Sequence, residues 1–336
     1  MTTIRDIANK AGVSIKTVSR VLNNEPMVGE ATHARVLSVM DELGYVPNIL
    51  AQRLARGRAN VIGLLCHNAT RAYIHDVLSG ALVGAHPRGY GVVTILVDPY
   101  QRDDQEMLLH MVAQQRVDGY LFTPPCDNMP LILEQLHQRT VPFVRLTPYD
   151  RTLPFPYVSA TDRQGAQELT EHLIHLGHRR IGFVMGNPDH HASHDRLAGY
   201  IAALQAHGIH HDEELICAGD WRFAAGVAAA ETLLALASRP TAIFASNDDM
   251  AAGVLQVAHR QWVRVPEELS VAGFDDVPLA AQVWPPLTTV RQPIHEVAKL
   301  ATTLLIEMLG GNPSSHLQVE LPTTLVLRES TCPLQG

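Results

Sequence analysis

The chain of 336 residues is 46% hydrophobic and 18% charged, as expected for a globular protein with two or three domains. No apolar run approaches the roughly 20 residues of a membrane span, and the charged amino terminus lacks the apolar segment of a signal peptide. We therefore expect a cytoplasmic protein without a membrane partner. The four scattered cysteines include no CxxC pair, which favours reduced thiols over a disulfide or zinc framework.

Charge is unevenly distributed along the chain. The net charge is −8, yet residues 1–60 carry eight basic and five acidic side chains and so have a net charge of +3. The remaining residues carry a net charge of −11. A small basic region joined to a large acidic one indicates a protein that contacts phosphate with one end only.

The basic region begins with two predicted short helices. Thr3 can cap the first, with Asp6 in its first turn, and Gly12 can end it. Ser14 can cap a second helix over residues 15–22. Two short helices joined by a tight turn that contains glycine form a helix-turn-helix.

The second helix predicts a surface for reading DNA. Val18 and Val21 belong to its apolar stripe, and Ile15, Lys16 and Arg20 project away from that stripe. An apolar contact and two cations are suited to base edges in the major groove. A third helix is expected over residues 30–43, with apolar residues at core spacing.

The segment PNILAQRLARG, residues 47–57, predicts a very short helix. Pro47 and Gly57 can mark its two ends, and Leu50 and Leu54 share one face because they lie four residues apart. An isolated helix needs roughly 12–15 residues in water. We therefore expect this helix to form only when something else completes it; taken alone, the segment also fits a solvated linker.

From residue 61 the sequence alternates β-rich apolar runs with helical stretches. This alternation predicts parallel sheets with helices on both faces, and the runs fall into two groups before and after about Asp162. Ligands of such sheets bind beyond the carboxyl ends of the strands. The predicted strands are VIGLLC, GVVTILV, VDGYLFT, VPFVRL, RIGFVMG, TAIFAS and SVAGF.

The runs IRDIANKAGVSIKTVSRVLN, LGYVPN and AQRLARG closely resemble the head and hinge of the LacI/GalR family of transcriptional repressors. The body carries the family marks LGHRRIGFV, RLAGY, FASNDDMAAG and SVAGFDD. The resemblance implies a small all-α helix-turn-helix head and an α/β body with two lobes and parallel sheets, similar to a periplasmic sugar-binding protein. One departure is Gly29, where the family usually has Ser or Asp as the helix cap, so we expect a somewhat less stable head.

The resemblance also implies a division into domains. Residues 1–46 would bind DNA, residues 47–60 would form the hinge helix and linker, and residues 61–336 would bind an effector and dimerise. In the body, the chain would cross between lobes three times, and the helix over 294–309 would return to the first lobe. The implied N-lobe covers about 61–160 and 293–320, the C-lobe about 162–290 and 323–330, and the crossings lie near 160–162, 290–293 and 320–323.

Family positions also imply the functional residues. Leu54 would insert into the minor groove and unstack the central base step of the operator. Arg196 would offer a donor fork to hydroxyls or a carboxylate, and Trp221 an apolar face to a sugar ring. The implied DNA contacts are Ser14, Ile15, Lys16, Thr17, Arg20, Asn23, Asn48, Arg53 and Leu54. The implied effector contacts are Arg196, Trp221, Asn247 and Asp275. From their places in the sequence we add Tyr73, in the loop after the first body strand, as a candidate for the opposite wall, and His190, which flanks the pocket loop.

Metal binding is the first competing interpretation. His172, His175 and His178 have the spacing of metal ligands on a helix. Gly177 is expected to end the helix before His178, so we interpret these histidines as surface residues and expect no metal or cofactor.

An enzyme is not indicated, because the sequence lacks GxSxG, HExxH, a phosphate-binding GxxxxGK[ST] loop and a GxGxxG fingerprint after the first strand. The favoured function is a repressor that binds a palindromic operator as a homodimer. A mono- or disaccharide in the cleft would switch it by changing the lobe angle and melting the hinge helix. Two alternatives stay open: a soluble sugar-binding protein of the transport type, and a purine-responsive regulator of the same family.

Overall fold

The computed structural model describes residues 2–22, 27–45, 59–67, 71–114, 116–311 and 317–334. It divides into two units, Met1–Ala59 and Asn60–Gly336, called the head and the body below. The predicted hinge, residues 47–57, lies outside the described residues. The same holds for four of the predicted DNA contacts, Asn23, Asn48, Arg53 and Leu54.

The head contains helices α1 (Ile4–Ala11), α2 (Ile15–Leu22) and α3 (Glu30–Glu42). At the start of α1, Thr3 and Asp6 form a capping box, because each side chain accepts a hydrogen bond from the other residue's backbone. Gly12 has a φ of 65° and ends α1 in the left-handed conformation. These three predictions are confirmed.

Apolar side chains of the three helices form the core of the head. Lys10 of α1 also forms an ion pair with Glu42 at the end of α3, at 2.6 Å. Helix α3 ends at Glu42, one residue earlier than predicted, and Gly29 gives it no side-chain cap, as expected. The fully or nearly buried core residues are Ile7, Ala8, Ala11, Val18, Val21, Val36 and Val39.

The N-lobe of the body is built on a six-stranded parallel sheet in the order β11-β5-β4-β3-β1-β2. Helix α12 packs against α4 and the central strands, and together they bury one apolar core. The elements are β1 (Val61–Cys66), α4 (Arg71–Ala85), β2 (Gly91–Leu96), α5 (Arg102–Ala113), β3 (Gly119–Phe122), α6 (Pro130–Gln138), β4 (Phe143–Leu146), β5 (Tyr157–Ala160), α12 (Ile294–Leu309) and β11 (Gln318–Leu321).

The C-lobe is built on a four-stranded parallel sheet in the order β7-β6-β8-β9, with a separate antiparallel pair of β10 and β12. Helices α7 and α8 pack closely against each other, as do α9 and α10. The elements are α7 (Asp162–His175), β6 (Ile181–Val184), α8 (His191–Ala206), β7 (Ile216–Cys217), α9 (Phe223–Leu234), β8 (Ala242–Ala245), α10 (Asp248–Arg260), β9 (Ser270–Ala272), α11 (Pro278–Gln282), β10 (Thr289–Arg291) and β12 (Thr324–Val326).

The chain passes between the lobes at three places: from β5 to α7, from β10 to α12 and from β11 to β12. The first and third crossings are joined directly, since the backbone N–H of Thr323 donates to Oγ1 of Thr161 at 3.0 Å. A Cβ on Gly165 would lie 2.5 Å from Oγ1 of Thr323, so the start of α7 fits closely against the third crossing. Helix α12 returns to the N-lobe, and the predicted fold class is confirmed.

Two expectations about the body need correction. His178 is not a surface residue: it is 2% exposed and bonds to the hydroxyls of Thr241 and Ser270 at 2.9 and 3.0 Å, although α7 does end before it. All seven predicted strands are present, but β5, β7, β10, β11 and β12 were not predicted. These five have two to four residues each and lie outside the apolar runs from which the other strands were predicted.

Within the described ranges, no helix is long and apolar enough to cross a membrane. In the same ranges, no group of three or more His, Cys, Asp or Glu side chains is arranged to hold a metal ion.

The contact between α7 and α8 gives a test of this packing. A Cβ on Gly199 would lie 2.2 Å from the carbonyl oxygen of Arg163, so Gly199→Ala must separate the two helices. We expect a loss of roughly 1–3 kcal/mol in the free energy of unfolding, measured by denaturant titration. Gly91→Ala is the matched control, because its Cβ has only one neighbour, at 3.9 Å. Equal stability of the two variants would contradict this packing.

Candidate functional site

Helix α2 presents the predicted DNA contacts that lie in the described head. Ser14 caps the helix through its hydroxyl, which accepts a hydrogen bond from the backbone N–H of Thr17 at 3.1 Å. Ile15 is 43% exposed. The whole set is exposed or half-buried, on the part of α2 that does not enter the core: Ser14, Ile15, Lys16, Thr17 and Arg20.

A cavity of about 500 Å³ lies between the two lobes of the body, at the carboxyl ends of the strands of both sheets. All six residues that the sequence indicated as effector contacts line it, although they are spread over two hundred positions: Tyr73, His190, Arg196, Trp221, Asn247 and Asp275. The structure therefore brings the whole predicted set together.

Arg196 is the most constrained of the six. It is the sixth residue of α8, and only 3% of it is exposed. Its Nε donates to Oδ1 of Asp162 at 2.8 Å, and its Nη1 donates to the carbonyl oxygen of Ser246 and lies 3.2 Å from Oδ1 of Asp275. The donor fork predicted to face a ligand is thus mostly used within the protein.

Asn247 is committed in the same way. It is the N-cap of α10: its Oδ1 accepts from the N–H of Met250 at 2.9 Å, and its Nδ2 donates to the carbonyl oxygen of Trp221 at 2.8 Å. One N–H and one lone pair of this amide are therefore used within the protein. The side chain is 2% exposed and holds the backbone of Trp221 beside the cavity.

Trp221 occupies a strained position, with a φ of 73°. Its indole lies so close to Gly186 that a Cβ there would lie 2.1 Å from Cη2 of the ring. Its Nε1 is buried and has no hydrogen-bond partner in the described chain. The exposed part of this half-buried indole lies at the cavity wall, where it can stack on a ligand.

Two further predicted contacts are uncharged at neutral pH. His190 precedes α8, and burial lowers its pKa to about 4. Tyr73 lies in the first turn of α4, not in a loop as expected, because the helix begins at Arg71. Burial raises the pKa of the Tyr73 hydroxyl far above its ordinary value, so this group stays protonated.

Several cavity residues were not predicted from the sequence. Most of them follow the carboxyl ends of strands, so the general rule for parallel sheets would have indicated them. His67 comes directly after β1 and Thr147 directly after β4. The unpredicted polar lining residues are His67, Tyr100, Thr147, Asn187, Asp220, Arg222 and Gln292.

Two polar contacts join the lobes beside the cavity. The hydroxyl of Tyr100 donates to Oδ2 of Asp189 at 2.9 Å. Nη2 of Arg151 lies 2.9 Å from Oδ2 of Asp195, and its Nη1 donates to Glu320 at 2.8 Å. Both carboxylates of the C-lobe lie on or just before α8, so this helix contacts the N-lobe with its amino-terminal part.

Comparisons with known proteins match both units of the chain. Residues 3–48 match the family model described as bacterial regulatory proteins, lacI family, and residues 170–331 match a periplasmic binding protein-like domain. The transcriptional regulator DegA of Bacillus subtilis is 32% identical over 99% of both chains. The repressor CytR of Escherichia coli is 33% identical over 98% of this chain and 96% of its own.

Solved structures agree with these matches. The lac repressor dimer bound to operator and the anti-inducer ONPF is 29% identical, with a TM-score of 0.83 over 98% of this chain and 99% of its own. The complex of the regulator CelR with cellobiose is 32% identical, with a TM-score of 0.75 over 98% of this chain and all of its own.

These relatives are transcriptional regulators, and the sequence-based identification is confirmed. The chain belongs to the LacI family of DNA-binding transcriptional repressors, with a helix-turn-helix head and an effector-binding body.

Proposed function

We propose that the protein binds a near-palindromic operator as a homodimer and is switched by a mono- or disaccharide in the cavity between its lobes. One observation carries this proposal: residues indicated by sequence as effector contacts line a single cavity at the carboxyl ends of both sheets. A twofold protein matches a twofold DNA site, with one helix-turn-helix for each half-site. Such a regulator acts in the cytoplasm, where its operator lies.

The lining of the cavity supports a carbohydrate. The indole of Trp221 provides an apolar surface for the C–H face of a sugar ring, and Asp275 and Gln292 provide polar groups for its hydroxyls. Among the similar structures, CelR is described with cellobiose, and a regulator from Enterococcus faecium that is 25% identical is described with bound ribose.

The alternatives are weaker. A transport-type sugar-binding protein has no use for the helix-turn-helix that α1 and α2 form. A purine-responsive regulator would use the same cavity for a planar ring, and the cavity volume and aromatic lining accept one. The first experiment below separates these ligands.

The proposed switch uses the three crossings. An effector that changes the angle between the lobes changes the backbone path at all three crossings and moves the N-lobe. In the sequence, the hinge connects the head to the first strand of the N-lobe. A hinge helix of about 11 residues is marginal on its own, so small displacements can melt it and release DNA. Whether the ligand induces or co-represses follows from which lobe angle it favours.

Thermal-shift screening of the full chain against sugars, sugar phosphates and nucleobases tests the ligand class. We expect a sugar to raise the melting temperature, because a ligand that binds only the folded state stabilises it by mass action. An increase with nucleobases and none with sugars would overturn the carbohydrate proposal.

Leu54→Ala tests the proposed wedge into the minor groove. We expect affinity for an operator selected from random DNA to fall by about 10-fold or more, equal to roughly 1.4 kcal/mol, with effector binding unchanged. Arg53→Ala is the matched comparison: as a proposed phosphate contact it should weaken specific and non-specific binding alike. Unchanged operator affinity in Leu54→Ala would refute the wedge.

Effector affinity should depend on pH through Asp275. Burial raises the pKa of this carboxyl to about 6, partly offset by Arg196 and increased by the nearby carboxylates of Asp162 and Asp249. The ionised carboxylate is the stronger acceptor for a ligand hydroxyl, so calorimetric affinity should fall as the pH drops from 7 to 5. Asp275→Asn should bind more weakly at pH 7 and lose this pH dependence; a variant that kept the dependence would assign it to another group.

A further inference from the structure

The loop of residues 147–156, between β4 and β5, is held from inside the N-lobe by a buried arginine. Arg145 is fully buried, and its Nη1 donates to the carbonyl oxygen of Asp150 at 2.7 Å. Its Nη2 donates to the carbonyl oxygens of Leu153 and Phe155 at 3.4 and 3.3 Å. Because a buried cation is costly without such bonds, the path of this loop is tied to the core of the N-lobe.

A buried carboxylate holds the same loop from a second side. Asp127 lies in the turn after β3, is 3% exposed, and accepts a hydrogen bond on Oδ2 from the backbone N–H of Tyr149 at 2.7 Å. Within the loop, Oδ1 of Asp150 accepts from the backbone N–H and the hydroxyl of Thr152 at 2.8 and 2.6 Å. A loop ordered in this way loses little further entropy when its side chains contact another surface.

Two side chains of this loop reach the C-lobe. Nη2 of Arg151 lies 2.9 Å from Oδ2 of Asp195 in α8. The ring of Tyr149 meets those of His191 and His194 nearly at right angles, with ring centres 6.2 and 6.4 Å apart, an arrangement that aromatic pairs favour. All three partners lie in the first two turns of α8, so one short stretch of the C-lobe receives both contacts.

The contact between Arg151 and Asp195 joins two full charges. Burial raises the pKa of Asp195, but the nearby His191 and the charge of Arg151 outweigh it, and the pKa lies below its ordinary value. The side chains of Arg151 and Asp195 are 22% and 14% exposed. Water and salt therefore screen this pair less than a pair on the open surface.

The contacts of the loop with the C-lobe lie outside the ligand cavity. Thr147, at the start of the loop, lines the cavity, but none of the five side chains that form these contacts is among its lining residues. The loop thus runs from the cavity wall to a separate point of contact between the lobes. Contacts at this point stabilise one lobe angle whether or not the cavity holds a ligand.

We propose that the loop of residues 147–156 is a clasp that holds the lobes together through Tyr149 and Arg151, and that it sets the affinity of the ligand-free protein for its operator. A contact made at one lobe angle and lost at another shifts the balance between them by its own free energy. The effect on operator affinity rests on the proposed function, whereas the clasp itself is a property of the body.

Hydrogen exchange on the full chain without added ligand tests the clasp. We expect Arg151→Gln to speed exchange in the first two turns of α8 by about fivefold or more, although the substitution lies in the opposite lobe. Glu320→Gln is the matched control: Glu320 accepts from Nη1 of the same arginine at 2.8 Å, but lies in β11 of the N-lobe. It should leave exchange in α8 nearly unchanged.

A second control separates the clasp from the general cost of losing an arginine. Arg180 also lies between two carboxylates, Asp212 and Glu214, and 28% of its side chain is exposed, but all three residues belong to the C-lobe. Arg180→Gln should leave exchange in α8 unchanged.

A double-mutant cycle tests whether the two charges act as a pair. We expect Arg151→Gln and Asp195→Asn each to change the affinity for an operator selected from random DNA about fivefold or more, in the same direction. The double variant should show no more than the larger single effect, because either substitution already removes the ion pair. Fluorescence anisotropy with labelled operator measures these affinities, and Arg180→Gln should match the unmodified chain.

The possible outcomes separate the two parts of the proposal. Exchange in α8 that is no faster in Arg151→Gln than in Arg180→Gln overturns the clasp, as do additive effects of Arg151→Gln and Asp195→Asn. Faster exchange with unchanged operator affinity overturns its control of DNA binding. If no operator can be selected, the proposed repressor function fails, while hydrogen exchange still decides whether the clasp exists.

Discussion

The ion pair between Arg196 and Asp162 is the constraint on which the functional site depends. Both side chains are almost fully buried, and a buried charge is tolerated only when it is paired and hydrogen-bonded. Removing one member of such a pair typically costs about 3–5 kcal/mol, because the other charge is left uncompensated. Asp162 begins α7 directly after the first crossing, and Arg196 lies in α8, so this pair ties the cavity to the junction between the lobes.

That junction is closely packed. Thr161 and Thr323 join the first and third crossings by hydrogen bonds. A side chain at Gly165 would overlap Thr323, so the start of α7 fits closely against the third crossing. A change in the angle between the lobes must therefore be absorbed by backbone changes at the crossings, as in other hinged proteins. The contacts from Tyr100 and Arg151 to the C-lobe lie across the cleft and must change when that angle changes.

The sequence predicted the parts that local rules determine. Caps, helix bounds in the head and the alternation of strands and helices follow from short-range patterns. Four of the six predicted cavity residues came from family positions, and Tyr73 and His190 came from their places in loops beside the predicted strands and pocket. It did not predict the partners of those residues. Asn247 holds the backbone of Trp221, Arg196 is held by Asp162, and His178 is buried against Thr241 and Ser270, and each of these contacts joins residues that lie 26 to 92 positions apart. Strands of two to four residues exist only through pairing with their neighbours.

One turn of α8 connects the ligand cavity with the interface between the lobes. Asp195 and Arg196 are consecutive, yet the first forms an ion pair with Arg151 of the N-lobe and the second faces the cavity. The same turn carries His191, whose Nε2 lies 3.4 Å from Oδ1 of Asp195. A displacement of Arg196 therefore moves a residue that holds the opposite lobe, without an intermediate chain of contacts. Adjacent residues of one helix thus contact both the cavity and the opposite lobe.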